Sequence, residues 1–231
     1  MPIEDFIMAV FCRIEEILQK IAAQQPWRTR GFPPKLSDSE VITMEVVGEC
    51  LGIDTDKQIW QYFRAHWHQL FPCLGSRCHF ARHAAHLWAM KKRLHEDLAK
   101  TLHAYSDAIH MIDGFPMPIC LFARAKRCKL FRESAAFGYC ASKKQIYRGF
   151  HGHLVMSSTG IITALTVTAA NEDEREALFE VIEQIHGLLI GDKGYISKEL
   201  ASTLRTQYGM NLQTPLRTNM TDHRHPACVK N

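Results

Sequence analysis

The sequence lacks any apolar run near the roughly 18 residues that span a bilayer, and it has no CxxC pair, low-complexity tract or internal repeat. Its first residues carry acids where a secretion signal carries basic residues, so they predict an amphipathic helix. A transmembrane helix is therefore excluded on sequence grounds, and we expect a cytoplasmic protein. In that compartment the eight scattered cysteines are expected to be free thiols: Cys12, Cys50, Cys73, Cys78, Cys120, Cys128, Cys140 and Cys228.

The overall charge is also small: the net value is +4, with 46% hydrophobic and 23% charged residues, as in a soluble globular protein. Positive charge is concentrated in residues 124–148, here called the basic segment, which holds eight cations and one acid, Glu133. Interleaved aromatic residues leave two interpretations open, a solvated surface or a face that binds phosphate. The cations proposed to bind DNA are Arg124, Lys126, Arg127, Lys129, Lys143, Lys144 and Arg148.

Hydrophobic spacing divides the chain into two predicted domains. Residues 1–104 are predicted to be all-α, with four helices. The first covers 3–23, and the second begins at the capping-box pair Ser37 and Glu40 and ends at Gly52. A shorter helix follows Asp56, and a long one covers 79–103. Short helices joined by tight turns fit a helix-turn-helix DNA-binding domain and equally fit a small helical bundle.

Residues 105–231 show a different pattern, in the order strand, hairpin, helix, strand, helix, strand. The segments "QIYRGFHGHLVMSS" and "GIITALTVTAAN" predict the hairpin, and 172–186 predict a helix capped by Asn171. A further helix is expected to end at Gly209. This order predicts an α/β fold, a mixed sheet flanked by helices.

Two of the predicted strands end on an aspartate, Asp113 in "HMIDGFP" and Asp192 in "GLLIGDKGY". Each aspartate can simply open a turn, since Asp-Gly is a strong turn signal. If the two strands are neighbours, both carboxylates emerge at one edge of the sheet, where they can bind divalent cations for phosphodiester chemistry. From the residues alone both interpretations stay open.

Six segments together resemble the DDE transposases of bacterial insertion sequences: "HMIDGFPMPIC", "AAFGYCASKK", "YRGFHGHLV", "TVTAANEDERE", "LIGDKGY" and "TPLRTNM". The resemblance covers most of residues 105–226. It implies a ribonuclease H-like catalytic domain in which Asp113 and Asp192 are the first two catalytic carboxylates and metal ligands. The resemblance also implies two bound Mg²⁺ ions, which Mn²⁺ could replace. It implies DNA as the partner, both as terminal inverted repeats and as target, and a homo-oligomer that assembles on that DNA.

The third carboxylate implied by the resemblance is a glutamate on a helix after the final strand. Glu199, only seven residues after Asp192, is a poor substitute, and Asp222 in the polar tail is a poorer one. We therefore expect a C-terminally truncated or frameshifted transposase whose catalytic domain is incomplete.

Two other groups of residues suggest different chemistry. Cys73, Cys78, His79, His83 and His86 invite a zinc site, but no tight C-x2-C pair accompanies the histidines. His151 and His153 resemble the paired-histidine motif of rolling-circle nucleases, which also needs a catalytic tyrosine. A structural or site-lining role for these histidines is the simpler interpretation.

The sequence thus predicts an insertion-sequence transposase that cleaves DNA strands and transfers them during transposition. The alternatives are a truncated transposase that only binds DNA and a host nuclease with the same core.

Overall fold

The computed structural model describes residues 1–24 and 32–216. The chain divides into two compact units, Met1–Leu98 and Ala99–Asn231. Within the described residues, every helix is too short or too polar to cross a membrane.

The first unit is built from helices. Its elements are α1 (Ile3–Gln24), α2 (Asp38–Cys50), α3 (Asp56–His66), α4 (Arg77–His86) and α5 (Trp88–Thr101), the last of which runs into the second unit. The predicted capping box is present, since Ser37 accepts from the Glu40 backbone N–H and the Glu40 side chain accepts from that of Ser37. A core that includes Ile17, Val47 and Phe63 holds the helices together.

The long helix predicted over 79–103 is wrong, because the chain breaks it at Leu87 between α4 and α5. The N–H of Leu87 bonds back three residues to the carbonyl of Ala84, at 3.2 Å, which tightens the last turn of α4. Leu87 itself is buried in the core. No proline or glycine marks the break, so the sequence carried no signal for it.

The second unit contains a mixed sheet with short helices. Its strands are β1 (Ile109–Leu121), β2 (Ala136–Cys140), β3 (Gln145–Ser157), β4 (Ile162–Ala169), β5 (Gly187–Ile190) and β6 (Met210–Gln213). Its helices are α6 (Phe122–Ala125), α7 (Glu174–Ala177) and α8 (Lys198–Gln207). The predicted mixed α/β class is confirmed, and so is the hairpin, formed by β3 and β4.

Strand order runs β2-β3-β1-β5-β6, and β4 pairs with β3 beyond the end of β2. The pairs of β3 with β1, β2 and β4 are antiparallel, whereas β5 pairs in parallel with both β1 and β6. Leu178, Ile182, Leu189 and Leu204 form part of the core of this unit. Because β1 and β5 run in parallel, the end of β5 at Ile190 lies beside Met111, early in β1.

Two boundaries differ from the prediction. The helix predicted over 172–186 is limited to α7 and a following 3-10 turn, and Asp173 rather than Asn171 caps it. The turns that follow still bury Val181, Ile182 and Ile185. The second difference concerns Asp113, which does not end its strand.

Candidate active site

The parallel register between β1 and β5 brings the two predicted aspartates to corresponding positions. Ile109 pairs with Leu188 and Met111 with Ile190, and the same offset two residues later matches Asp113 with Asp192. Strand β5 stops at Ile190, while β1 continues to Leu121 by pairing with β3. Asp113 therefore lies where the parallel pairing ends, rather than at the end of its own strand.

Backbone N–H groups orient one oxygen of each aspartate. The Oδ1 atom of Asp113 accepts from Gly114 at 2.9 Å, and that of Asp192 accepts from Gly194 at 2.8 Å. Asp192 also caps a 3-10 turn, Lys193–Tyr195, so the turn role considered from the sequence is present. Both residues are exposed. Each can therefore keep one oxygen on a backbone N–H and present the other outward.

A third acid, Glu174, lies close to both aspartates, and the sequence analysis did not single it out. It occupies the first turn of α7, in the connection from β4 toward β5. Its Oε1 is 3.6 Å from Nε2 of His151 on β3. The signal was present in "TVTAANEDERE", but those acids were interpreted only as the start of a helix.

Glycines next to both aspartates make room for the Glu174 carboxylate. A Cβ on Gly194 would overlap its Oε2 and lie 3.0 Å from Oδ1 of Asp192. A Cβ on Gly114 would lie 3.4 Å from its Oε1. Burial raises the pKa of Glu174, and the negative charges of Asp192 and Asp113 raise it further, against the opposing effect of His151. We call Asp113, Glu174 and Asp192 the carboxylate site.

The Tyr195 side chain is fully buried beside this site. Desolvation raises the pKa of Tyr195, with the carboxylates of Glu174, Asp192 and Asp113 adding to the effect. Among the described residues no group bonds to its hydroxyl. Because the Tyr195 side chain is fully buried, it cannot reach a DNA phosphate as the tyrosine of a rolling-circle nuclease would.

The paired histidines lie together on β3, with ring centroids 4.9 Å apart. His153 is fully buried, and its Nε2 lies 3.0 Å from the Thr168 hydroxyl. Burial lowers the pKa of His153, and the neighbouring His151 lowers it further. His153 therefore belongs to the core, whereas His151 lines the carboxylate site.

Seven cations of the basic segment are exposed: Arg132 and the six proposed DNA contacts Arg124, Lys126, Arg127, Lys129, Lys143 and Lys144. Large exposed aromatic side chains lie among them, at Phe122, Phe131, Phe137 and Tyr139. Arg148 differs, since it is 7% exposed and donates to the carbonyls of Leu130, Phe131 and Arg132 at 2.9–3.0 Å. Its guanidinium holds the 130–132 loop, so we remove Arg148 from the proposed DNA-binding set.

Across residues 1–24 and 32–216, no group of three or more His, Cys, Asp or Glu side chains is spaced to hold a metal ion directly. This includes the zinc candidates, of which His83 lies 2.7 Å from Asp38. Glu199 is exposed and accepts from the Ser197 hydroxyl, and Asp222 falls outside the described residues.

Comparison with known proteins identifies the family. The model of the transposase DDE domain matches residues 103–230, while no curated protein matches the sequence. A solved structure of the piggyBac transposase, a synaptic complex with hairpin DNA, is similar at a TM-score of 0.40 and 12% identity. The alignment covers 96% of this chain and 51% of that one, so the chain spans about half its length. Because the family model matches more than half of its residues, the chain belongs to the transposase DDE domain family.

Proposed function

We propose that the protein is an insertion-sequence transposase that cleaves phosphodiester bonds at the element ends and joins the freed 3′-hydroxyl to target DNA. The observation that carries this proposal is that Asp113 and Asp192 each lie two residues beyond the last parallel pair of β1 and β5, Met111 and Ile190, inside the family match. The strand order supports a ribonuclease H-like catalytic domain in residues 105–231, since the antiparallel β3 and the parallel β5 flank β1.

Asp113 and Asp192 would hold the divalent cations, Mg²⁺ or Mn²⁺, as the two catalytic carboxylates. Their donor chemistry fits, because these cations prefer oxygen ligands and each exposed aspartate has its Oδ1 oriented by a backbone N–H. A bound cation pair would activate the attacking hydroxyl and stabilise the leaving oxygen. The residues themselves would hold and orient the ions, while the exposed edge admits the DNA strand.

DNA is the proposed partner, both as terminal inverted repeats and as target. The exposed cations of the basic segment would contact phosphates, which positions the duplex without reading its sequence. The helical N-terminal region, 1–104, would bind the element ends, and a homo-oligomer would bring two ends together.

The test uses a plasmid that carries the DNA flanking both sides of the gene. In Mg²⁺ or Mn²⁺ we expect strand cleavage by the wild type and none by Asp113→Asn or Asp192→Asn. All three proteins should still bind the flanking DNA. Glu183→Gln, which changes an exposed acid of the same unit, should cleave normally. Cleavage by either aspartate variant would overturn the assignment.

A DNA-binding protein without catalysis is the second candidate. It is favoured by the lack, among the described residues, of three side chains spaced to ligate a metal directly. Wild-type protein that binds the flanking DNA but leaves it uncut in both metals would establish this alternative.

A further inference from the structure

We propose that the outer faces of α3 and α4 form the surface on which the N-terminal region binds duplex DNA. On α3, Gln61 and Arg64 read base edges in the major groove. On α4, Arg77 and Arg82 hold phosphates. This inference rests on the proposed function, in which residues 1–104 bind the element ends, and it assigns that binding to two helices with separate tasks.

Charge is divided unevenly among the helices of the first unit. Helices α1 and α2 hold eight acids against two cations, Arg13 and Lys20. From Lys57 to His95 the chain holds seven cations and no Asp or Glu, and this stretch includes the whole of α4 and all but the first residue of α3. The positive charge that attracts phosphate is therefore concentrated on one part of the unit.

The exposed side of α3 carries side chains that are suited to reading bases. Ile59 and Phe63 place the other side of the helix in the core. Lys57, Gln61 and Arg64 are exposed and follow at the i, i+4 and i+7 spacing of one helix face. An α-helix fits the major groove of B-DNA, where Gln contacts adenine and Arg contacts guanine, each through a pair of hydrogen bonds.

Trp60 orients Arg64 and connects α3 to the start of α4. The guanidinium carbon of Arg64 lies 4.9 Å from the centre of the Trp60 ring, an arrangement that restricts the arginine before DNA binds. The Trp60 Nε1 donates to the carbonyl of Gly75 at 3.0 Å, directly before the Ser76 cap of α4. The exposed Arg77 follows that cap. Arg64 and the first turn of α4 thus lie around one tryptophan.

A groove beside α4 extends the positive surface. Its volume is about 470 Å³, and its lining includes Lys35 together with His79, Arg82 and His86 of α4. All four side chains belong to exposed residues. Among the described residues that line the groove there is no Asp or Glu. A phosphate in this groove would meet nitrogen donors without a competing carboxylate.

The test of base reading is fluorescence anisotropy with the full chain and labelled duplexes that tile the DNA flanking the gene. A duplex of the same bases in scrambled order is the reference. We expect the wild type to prefer one flanking duplex. Gln61→Ala and Arg64→Lys should each lower the affinity for that duplex by about 10- to 100-fold. Neither change removes a charge, so the affinity for the scrambled duplex should stay the same.

The test of phosphate contact is the salt dependence of the same binding. Arg77→Gln/Arg82→Gln should weaken binding to both duplexes and lower the slope of log affinity against log salt by up to about two. Lys20→Gln, which removes an exposed cation from α1, should keep the wild-type slope. The unfolding midpoint of each variant verifies that it is folded.

The outcomes separate this inference from the proposed function. If Gln61→Ala and Arg64→Lys keep the wild-type preference, or the double variant keeps the wild-type slope, the assignment to α3 and α4 is overturned. An equal loss of slope in Lys20→Gln would reduce the effect to net charge and would overturn it as well.

Cleavage of the flanking plasmid by the wild type, lost in Asp113→Asn, would still support the proposed function in each of these cases. A face that takes an acidic protein instead of DNA would leave every duplex affinity unchanged, which also counts against the inference. If the wild type neither prefers a flanking duplex nor cuts the plasmid, the proposed function itself fails.

Discussion

A Cβ atom on Gly194 would overlap Oε2 of Glu174, so this carboxylate can occupy its position only while residue 194 is glycine. The same Cβ would lie 3.0 Å from Oδ1 of Asp192, the oxygen that accepts from the Gly194 N–H. Glu174 and the second aspartate therefore share one small space. Any side chain at residue 194 must displace an acid of the carboxylate site.

Gly194→Ala is expected to weaken the proposed Mn²⁺ binding, because the new Cβ would lie 3.0 Å from Oδ1 of Asp192 and would displace the Glu174 carboxylate. The double variant Gly194→Ala/Glu174→Gln should bind no more weakly than Gly194→Ala alone, which calorimetry can measure. Additive losses would contradict the shared space. Gly75→Ala is the control, since its Cβ would meet only His79 Nδ1, at 3.9 Å.

Glu174 should also make the metal-free protein less stable as pH rises. Burial raises its pKa, Asp192, Asp113 and Asp173 add to the rise, and His151 opposes it. A carboxyl whose pKa is higher in the folded state contributes stability below its unfolded pKa, and that contribution is lost as pH rises through the folded value. Glu174→Gln should therefore raise the unfolding free energy in EDTA near neutral pH, and the gain should shrink toward about pH 4.

Denaturant unfolding at several pH values measures this difference. The comparison is made between each variant and the wild type at the same pH, which cancels the other titrating groups. Glu176→Gln, on the exposed side of α7, should show no such trend. If Glu174→Gln raises the unfolding free energy by the same amount at every pH, the ionised Glu174 carboxylate does not destabilise the folded state.

The sequence predicted the parts of this site that depend on local signals. The turn residues after each apolar run marked Asp113 and Asp192, and alternation marked the β3–β4 hairpin. Glu174 was not singled out because its position beside the aspartates depends on long-range packing of the β4–β5 connection against β1 and the turn after β5. Arg148 was assigned to the DNA-binding cations for a related reason. The sequence shows that it follows a basic run, but not that its guanidinium donates to the carbonyls of residues 130–132.

Arg148 is expected to stabilise the fold rather than bind DNA. Arg148→Ala would remove the buried donor that holds the three carbonyls of the 130–132 loop, at a cost of about 1–3 kcal/mol. Arg148→Lys should recover little, because one ammonium cannot reproduce the planar fork of donors. Denaturant unfolding checks both variants. The exposed Arg132→Ala should change stability by less than about 0.5 kcal/mol, and an equally small effect for Arg148→Ala would refute the structural role.

Lys143 and Lys144, in the turn between β2 and β3, are expected to contact DNA phosphates. Both are exposed, and each phosphate contact that is lost lowers the slope of log affinity against log salt by about 0.9. Lys143→Gln/Lys144→Gln should therefore weaken binding equally for unrelated duplex sequences and reduce the slope by up to about two. Fluorescence anisotropy between about 50 and 200 mM salt gives both quantities. Lys198→Gln, which removes an exposed cation from α8, serves as the control for net charge. A slope that is unchanged in the double variant, or equally reduced in the control, would remove these lysines from the DNA-binding surface.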